Sequence, residues 1–415
     1  MRSKHEIVLD MAVEEAKMLS SLQKLRAYTI ELASLVPDEP EIVDPPPITG
    51  PEDRIPGKLT GDMSVTEVAS AISEAKPGTT FECFGALPAI RIGGILGDKP
   101  GKHNQVAHHA DGSPIRDIHF VRGPDTYSPG WKMPEVQGIL FHNSLGGFDN
   151  ILFDGINARP RQDGDRAAIL FEEHFDPDQF QGGLFSFKNA HVYAPAEWTA
   201  FSGYGYKQTI VIRSSRFHLE GLTYSPPKEH GTGYFHNIRG DSVGRDLQVM
   251  TRTINGQEVG CGRTLGQVQE RRSDGLEGYG NILFENVSGR LCGSEGVVSG
   301  NTASGGSAFT TGGHNGTITW KNCHAGEPMT GGVVTAWEET ESNGEAKGFG
   351  SPAVNGLILD GITWTKCNHP LASNRRAINL DSVRLIHAQR VQDIVDPLND
   401  SRVKLGPDIG DMTWI

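Results

Sequence analysis

The chain has 415 residues, a formal charge of −13 at pH 7 and 52 glycines. Its acidic balance argues against a protein that binds nucleic acid or an anionic membrane through bulk charge, and its hydrophobic share of 37% argues against a disordered acidic polymer. The glycine content is well above the usual share of about 7% and needs a structural explanation.

Signals for export, membrane insertion and disulfide bonding are weak in this sequence. The first ten residues, MRSKHEIVLD, lack the apolar core and small-residue cleavage site of a secretory signal, which predicts folding in the cytoplasm. No run approaches the roughly 18 consecutive apolar residues of a membrane-spanning helix. The cysteines are scattered without C-x-x-C spacing, which predicts small core residues and neither a disulfide framework nor a zinc site. They are Cys83, Cys261, Cys292, Cys323 and Cys367.

Residues 5–36 contain no Gly or Pro and are predicted to form one long helix. Apolar residues recur at alternating steps of four and three from Val8, which is the spacing of a coiled-coil seam. A single amphipathic helix lying on another protein is the alternative. Either structure needs a partner. The residues assigned to oligomerisation or docking are Met11, Met18, Leu22, Leu25 and Leu32.

A proline-rich segment separates this helix from the main body. Seven prolines between residues 37 and 57 are incompatible with a helix and favour an extended, semi-rigid spacer. The predicted organisation is an N-terminal helix at 1–36, a linker at 37–61, a main body at 62–390 and a C-terminal cap or subunit contact at 391–415.

The body opens with a helix signal followed by a strand signal. Ser64 and Glu67 have the spacing of a capping box, and Lys76-Pro77-Gly78 ends the helix before a predicted strand at Thr79–Phe84. An amphipathic helix followed by A-K-P-G-T-x-F and a strand resembles the N-terminal cap of right-handed parallel β-helices of the pectin-lyase-like superfamily. The resemblance implies that this helix covers the open end of the coil.

A short repeat supports the same fold. It consists of an apolar residue, any residue, a large apolar residue, a polar or charged residue, then Asn, Gly or Ser, and a small or aliphatic residue. The pattern describes a strand that alternates inward and outward and ends in a residue that tolerates left-handed geometry at a corner. Its large apolar residues are Phe153, Phe187, Ile212, Phe235, Phe284, Trp320 and Leu359.

The predicted fold is all-β, a right-handed parallel β-helix with an N-terminal α-helical segment and about eight to ten coils. An antiparallel sandwich or barrel also alternates, but it more often has two-residue hairpin turns, whereas the strands here are separated by long, irregular loops. The glycines then fall at coil corners and in the insertions between coils, such as Gly293–Gly316.

Catalytic motifs are absent, so candidate catalytic residues come from clusters of carboxylates. Glycoside hydrolysis uses two carboxylates about 5–9.5 Å apart. One cluster, in LFEEHFDPDQF, supplies Glu173 and Asp176; the other, in RGDSVGRD, supplies Asp241 and Asp246 beside Arg239. Solvated loop acids or surface ion pairs are the alternative for both clusters.

Aromatic residues suggest a carbohydrate-binding surface. Residues 191–208 contain several aromatic rings separated by glycine, which suits stacking on sugar rings; burial beneath the loop is the alternative. The candidate carbohydrate-binding residues are Tyr193, Trp198, Tyr204, Tyr206 and Tyr234. The histidines between residues 103 and 119 lie in a polar stretch without fixed helical spacing, so we predict no metal and no cofactor.

A partner-seeking helix, a proline spacer and a β-helix together resemble a bacteriophage tailspike or tail-fibre protein. The resemblance implies a virion protein, a homotrimer, that docks on other virion proteins through its N-terminal helix and attaches to bacterial surface polysaccharide, with or without cleaving it. A secreted polysaccharide lyase or hydrolase and a structural virion decoration are the alternatives. Neither nucleic-acid binding nor membrane insertion is expected.

Overall fold

The structure is a computed structural model, and every residue that it describes belongs to one compact unit, Pro47–Ile415. The predicted helix at 5–36, with all its docking residues, lies outside the described residues. No helix in the described part of the chain is long and apolar enough to cross a membrane. The described residues are 55–93, 107, 113, 115–124, 133–143, 148–160, 167–173, 183–193, 209–213, 215–224, 233–254, 257–259, 265–269, 278–290, 307–326, 332–336, 354–365 and 376–415.

Strands dominate the described residues, which contain a single helix, α1 (Val65–Glu74). The strands, in chain order, are β1 (Ile55–Thr60), β2 (Thr79–Phe84), β3 (Ala86–Leu87), β4 (Ile90–Gly93), β5 (Ile115–Arg122), β6 (Glu135–Gln137), β7 (Ile139–Asn143), β8 (Phe148–Asp154), β9 (Asn157–Arg159), β10 (Ile169–Glu173), β11 (Leu184–Lys188), β12 (His191–Val192), β13 (Ile210–Arg213), β14 (Arg216–Glu220), β15 (Thr223–Tyr224), β16 (Gly233–His236), β17 (Ser242–Arg245), β18 (Gln248–Val249), β19 (Arg252–Ile254), β20 (Gln257–Val259), β21 (Gly266–Gln269), β22 (Ile282–Glu285), β23 (Ser288–Arg290), β24 (Phe309–Thr311), β25 (His314–Lys321), β26 (His324–Gly326), β27 (Val334–Ala336), β28 (Val354–Asp360), β29 (Thr363–Trp364), β30 (Ile378–Gln389) and β31 (Val403–Trp414).

Except for the β19–β20 hairpin, the described strands pair in parallel and form three stacks. Stack A contains β1, β2, β5, β8, β11, β14, β17, β22, β25 and β28. Stack B contains β4, β7, β10, β13, β16, β21, β24 and β27, and stack C contains β3, β6, β9, β12, β15, β18, β23, β26 and β29. The long strands β30 and β31 continue both stack A and stack B.

The chain visits the three stacks in a fixed order. From β2 onward it passes from stack A to stack C, then to stack B, and returns to stack A one strand further along. Each passage places a strand in parallel register with the strand of the preceding passage, as Phe153 pairs with Phe120 and Phe187. The architecture is therefore all-β with long parallel sheets, and it is consistent with a parallel solenoid.

The helix at the start of the body forms as predicted. The Ser64 hydroxyl accepts a hydrogen bond from Glu67 N at 3.2 Å, and the Glu67 carboxylate accepts one from Ser64 N at 2.7 Å. Such a capping box satisfies two of the free amides at a helix N-terminus. Val68, Ala69 and Ile72 are buried in the main hydrophobic cluster. This face of the helix therefore covers part of the core.

The inward side chains of stack A build a column of aromatic rings through the core. Phe120 stacks on Phe153 with centroids 4.5 Å apart, and Phe284 stacks on Trp320 at 4.2 Å. All of the large apolar residues of the sequence repeat are buried. Burial of each such side chain contributes about 1.5–3 kcal/mol, and an aromatic pair adds about 0.5–1.5 kcal/mol.

The predicted corners adopt the left-handed conformation. At the position that follows the strands of stack A, φ is 69° at Gly155, 51° at Asn189, 56° at Asn286, 51° at Asn322 and 71° at Gly361. Side chains at this corner bond between neighbouring repeats, since Asn189 Nδ2 donates to Asp154 Oδ1 at 2.8 Å. The corner prediction is therefore confirmed at these five positions.

The repeat occurs in two stacks, which explains its irregular spacing in the sequence. Ile212 and Phe235 lie in stack B, and the other large apolar residues of the pattern lie in stack A. The long interval between Phe235 and Phe284 contains the stack A strand β17, in which Gly244 takes the inward position opposite Phe284. Asn237 ends the stack B copy with a φ of 48°.

Both ends of the stacked body extend beyond the predicted limits of 62–390. Strand β1 begins at Ile55, inside the segment assigned to the linker, and pairs in register with β2. Pro56 is tolerated there because, among the described strands, β1 pairs only with β2 and is an edge strand. At the other end β31 pairs with β30 from Val403 to Trp414, so the parallel stacking includes residues assigned to a C-terminal cap.

The two described cysteines are small core residues, as predicted. Cys83 and Cys323 are buried free thiols. Burial raises the pKa of Cys323 to about 12, so the thiol is protonated at neutral pH. The other three cysteines lie outside the described residues.

Candidate functional site

The outer face of stack A carries a row of charged side chains. Their sign alternates from one strand to the next, in the order Asp154, Lys188, Glu220, Arg245, Glu285, Lys321 and Asp360. Neighbours in the row form ion pairs: Lys188 Nζ lies 3.0 Å from Glu220 Oε2, and Arg245 Nε lies 2.9 Å from Glu285 Oε2. We call this the charged row. Its members compensate one another's charge.

The outer face of stack C has a different composition. From β6 to β29 its strands present one polar side chain each at the same register position, and none of these is buried. From Asn157 onward all of them are amides, hydroxyls or imidazoles, groups that both donate and accept hydrogen bonds. We call this set the polar row. It consists of Glu135, Asn157, His191, Thr223, Gln248, Ser288, His324 and Thr363.

A cleft of about 450 Å³ opens beside the C-terminal half of the polar row. It lies where β18, β23 and β26 end. No carboxylate lines it among the described residues, and Arg290 is the one arginine or lysine there. The cleft is lined by Gln248, Val249, Met250, Thr251, Ser288, Gly289, Arg290, His324, Gly326 and Thr365. Hydroxyl, amide and guanidinium groups in this arrangement suit a ligand rich in hydroxyl groups.

Two threonines hold the imidazole of His324 at the cleft. Nδ1 lies 2.9 Å from Thr363 Oγ1, and Nε2 lies 3.0 Å from Thr365 Oγ1. A hydroxyl can donate or accept, so this pair of contacts accommodates either neutral tautomer. The ring is therefore fixed, and it orients the two threonine hydroxyls.

Gly326 makes room for the side chain of Arg290. A Cβ at Gly326 would lie 2.7 Å from Arg290 Cγ, which is closer than atoms approach without displacement. The aliphatic part of Arg290 thus passes over the backbone of the next strand. Glycine at this position shapes the floor of the cleft.

Tyr193 lies at the other half of the stack C face, as part of a packed group. The Arg159 guanidinium sits 4.1 Å from the centroid of the Tyr193 ring, and the His191 ring meets Tyr193 edge-on at 4.4 Å. Arg159 is held by Glu135 through contacts of 2.7 and 3.1 Å. Burial and the nearby Arg159 charge lower the pKa of His191, which keeps this imidazole neutral at pH 7. One face of the tyrosine ring is therefore covered by Arg159.

Asp241 precedes β17 and Asp246 follows it. Asp241 Oδ1 accepts a hydrogen bond from Asn281 N at 3.2 Å, and Asp246 Oδ1 accepts one from Asn286 Nδ2 at 2.7 Å. Five residues of extended chain span about 16 Å, more than the roughly 5–9.5 Å between the carboxyls of a glycosidase. The spacing does not favour a mutual acid–base pair, and their catalytic role stays a prediction.

The remaining predicted residues are distributed over other parts of the chain. Glu173 is the last residue of β10 and pairs with Asn143 of β7. Tyr234 is buried on the outer side of stack B, where its ring stacks on His236 with centroids 5.7 Å apart and the Arg213 guanidinium lies 5.9 Å from it. Asp176, Trp198, Tyr204 and Tyr206 lie outside the described residues.

Sequence reasoning missed the polar row because the strands of stack C are only two or three residues long. Such strands are too short to display alternation. A usable signal was nevertheless present, since each polar residue from Asn157 onward lies two positions after a corner and between two inward residues. Asn189-Ala190-His191-Val192 and Asn322-Cys323-His324-Ala325 show this arrangement, as do Gly221-Leu222-Thr223-Tyr224 and Gly361-Ile362-Thr363-Trp364.

The described residues offer no metal site that would indicate a function for the cleft. Among the residues that the structure describes, no group of three His, Cys, Asp or Glu side chains could hold a metal ion. His119, from the histidine-rich stretch, is buried on the outer side of stack A.

No protein-family model, no curated protein and no solved structure matches the chain.

Proposed function

We propose that the chain is a right-handed parallel β-helix that binds an extended polysaccharide along the outer face of stack C. The observation that carries this proposal is the polar row, in which successive strands offer one accessible hydrogen-bonding side chain each. Strands in a sheet are about 4.8 Å apart, a step comparable with one sugar unit of an extended chain. A linear glycan lying along the stack can therefore meet a hydrogen-bonding group at each unit.

The cleft supports binding more than hydrolysis at this face. Hydrolysis by the usual mechanism needs two carboxylates on either side of the scissile bond. None lines the cleft among the described residues, and Glu135, the carboxylate of the polar row, is engaged by Arg159. Gln248, Ser288 and Thr365 supply hydrogen bonds without a catalytic pair. The proposed activity is therefore attachment.

We further propose that the protein is a virion component of a bacteriophage, a tailspike or tail fibre that attaches to bacterial surface polysaccharide. This assignment rests on the sequence resemblance and on the predicted partner-seeking helix at 5–36. A homotrimer joined through that helix would present three polar rows to one glycan surface. Several weak sugar contacts then add up to useful avidity.

Equilibrium binding to purified bacterial capsule and lipopolysaccharide, followed by sizing of the glycan, tests this function. We expect saturable binding of the full chain and a glycan of unchanged size. Oligosaccharide products would show a depolymerase instead, and an added water or an unsaturated end in their masses would distinguish a hydrolase from a lyase. Absence of binding across capsule and lipopolysaccharide types would favour a structural decoration.

Deletion of residues 1–36 tests the docking part of the proposal. We expect the oligomeric mass to fall, or virion attachment to be lost, while far-UV circular dichroism shows an intact β body. Unchanged mass together with unchanged attachment would contradict the assigned role of Leu22 and Leu25.

A further inference from the structure

Four side chains with complementary chemistry meet on the outer face of stack A. Strand β11 contributes Ser186 and Lys188, and β14 contributes His218 and Glu220. Ser186 pairs in register with His218, and Lys188 pairs with Glu220. Residues two apart on a strand point to the same side, and paired residues on neighbouring strands lie about 4.8 Å apart. The four side chains therefore form a compact quartet.

The hydrogen bond between His218 and Glu220 fixes the protonation of the imidazole. His218 Nε2 lies 3.0 Å from Glu220 Oε2. An ionised carboxylate only accepts hydrogen bonds, so Nε2 carries the proton and Nδ1 carries the lone pair. Nδ1 is buried and has no hydrogen-bond partner among the described residues. Ser186, on the neighbouring strand β11, pairs in register with His218, and its hydroxyl is able to donate to Nδ1.

The electrostatic surroundings keep His218 neutral and Glu220 ionised. Burial lowers the pKa of His218, and the positive charges of Lys188 and Arg245 lower it further, against the opposing effect of Glu220. The pKa of Glu220 is lowered by hydrogen bonds from Lys188 and His218, which outweigh its partial burial. At neutral pH the imidazole is thus available as a base.

We propose that Ser186, His218 and Glu220 form a nucleophile, base and orienting group that cleave small carboxylic esters, such as an O-acetyl substituent of a sugar. The proton transfer requires a rotamer of Ser186 that places its hydroxyl against Nδ1 of His218, the residue with which it pairs in register. Such hydrogen bonds are often long or unformed before substrate binds. The same logic of nucleophile, base and orienter recurs on unrelated folds.

The proposed reaction needs only these side chains and water. Ser186 Oγ attacks the acyl carbon while its proton passes to His218 Nδ1, and the Lys188 ammonium stabilises the oxygen that becomes negative. The carbon–oxygen bond to the alcohol then breaks, and His218 returns the proton to the departing alkoxide. Water then attacks the acyl carbon and gives a proton to His218; the bond to Ser186 Oγ breaks, His218 returns that proton to Ser186 Oγ, and the acyl group leaves as a carboxylic acid.

Burial restricts the substrates to small ones. Ser186 is 2% exposed and His218 is 5% exposed, whereas Lys188 and Glu220 reach solvent. An ester must approach past the two charged side chains. The proposal does not depend on glycan binding, because stack C is a different face of the molecule.

Hydrolysis of p-nitrophenyl acetate by the full chain tests this proposal. We expect Ser186→Ala and His218→Gln each to lower the rate constant by about 10²-fold or more. A fluorophosphonate probe should add to the peptide that contains Ser186, as seen by mass spectrometry. Ser382→Ala, which removes a comparably buried hydroxyl from β30, is the matched control and should leave the rate unchanged.

Glu220 is a positioning residue, and the effect of replacing it is measured as the pH dependence of the hydrolysis rate. Glu220→Gln removes the negative charge that favours protonated His218, so the rising limb of the rate against pH should move to lower pH. A merely structural role would not move that limb. Equal rates in wild type and Ser186→Ala, or a probe adduct at any site other than Ser186, would overturn the proposal.

Discussion

The outer faces of stacks A and C are built on the same backbone repeat and differ in how their side chains are satisfied. On stack A each charged residue meets an opposite charge on the neighbouring strand, as Glu285 does between Arg245 and Lys321. On stack C the side chains are accessible and mostly uncharged, and a cleft lies beside them. The contrast leads us to expect stabilising ion pairs in the charged row from Arg245 to Asp360 and ligand contact at the polar row.

Glu285→Ala should give the largest change in stability and none in glycan binding. Glu285 is 19% exposed at its side chain and contacts Arg245 at 2.9 Å and Lys321 at 3.6 Å. Its removal leaves two partly buried cations without their anion, which we expect to cost about 1–3 kcal/mol. Urea denaturation measures this cost. A loss below about 0.3 kcal/mol would show that the charged row is not structural.

His324→Ala should change binding and leave stability nearly intact. The imidazole contacts Thr363 and Thr365 through its two ring nitrogens, so its loss frees the two hydroxyls that it orients at the cleft and removes some packing. We expect an affinity about tenfold lower, or ~1.4 kcal/mol, by isothermal titration calorimetry. The matched control is Thr319→Ala on the outer face of stack A, which should bind like the wild type. Equal losses in both variants would contradict the assignment to stack C.

Asn286→Ala tests the corner that both faces share. Asn286 has a φ of 56° and donates to Asp246 at 2.7 Å. Alanine in the left-handed region costs about 1–2 kcal/mol, and the lost hydrogen bond adds to this. Thermal denaturation should detect the change. Asn286→Gly restores the backbone preference and should recover most of the lost stability.

Acid should weaken the folded state through its buried histidines. Burial lowers the pKa of His218 and of His314 in the folded protein. The unfolded chain then binds more protons below its ordinary histidine pKa of about 6.5, so stability is fully present above that pH and is lost as the pH falls. Urea midpoints between pH 8 and pH 5 measure the effect. His314→Gln should flatten the curve, and a midpoint that rises on acidification would contradict it.

Periodicity was sufficient to predict the strands and corners of stack A but not the polar row of stack C. Residues such as Phe153, Phe284 and Trp320 stand out because a large inward residue and a left-handed corner recur together. The strands of stack C contribute only one or two outward residues each, too few for alternation or composition to mark them. The quartet on stack A could not be predicted either, because it depends on strand register. Ser186 and His218 lie 32 residues apart in the sequence and become neighbours only when β11 pairs with β14, as His191 and Thr223 do when β12 pairs with β15.

The charged row of stack A was predictable from the sequence only in part. The net charge of −13 says nothing about the order of charges, whereas on stack A acids and bases alternate from strand to strand. Five members of the charged row occupy the polar or charged position of the sequence repeat, namely Asp154, Lys188, Glu285, Lys321 and Asp360. Only the three-dimensional register places Glu220 and Arg245 in the same line.

Hydrogen–deuterium exchange of the full chain with and without a bound polysaccharide shows directly whether the glycan lies on stack C. We expect slower exchange in β18, β23 and β26, which line the cleft, and unchanged exchange in the stack A strands β17, β22 and β25. Protection of the stack A strands with no change in stack C would contradict this expectation.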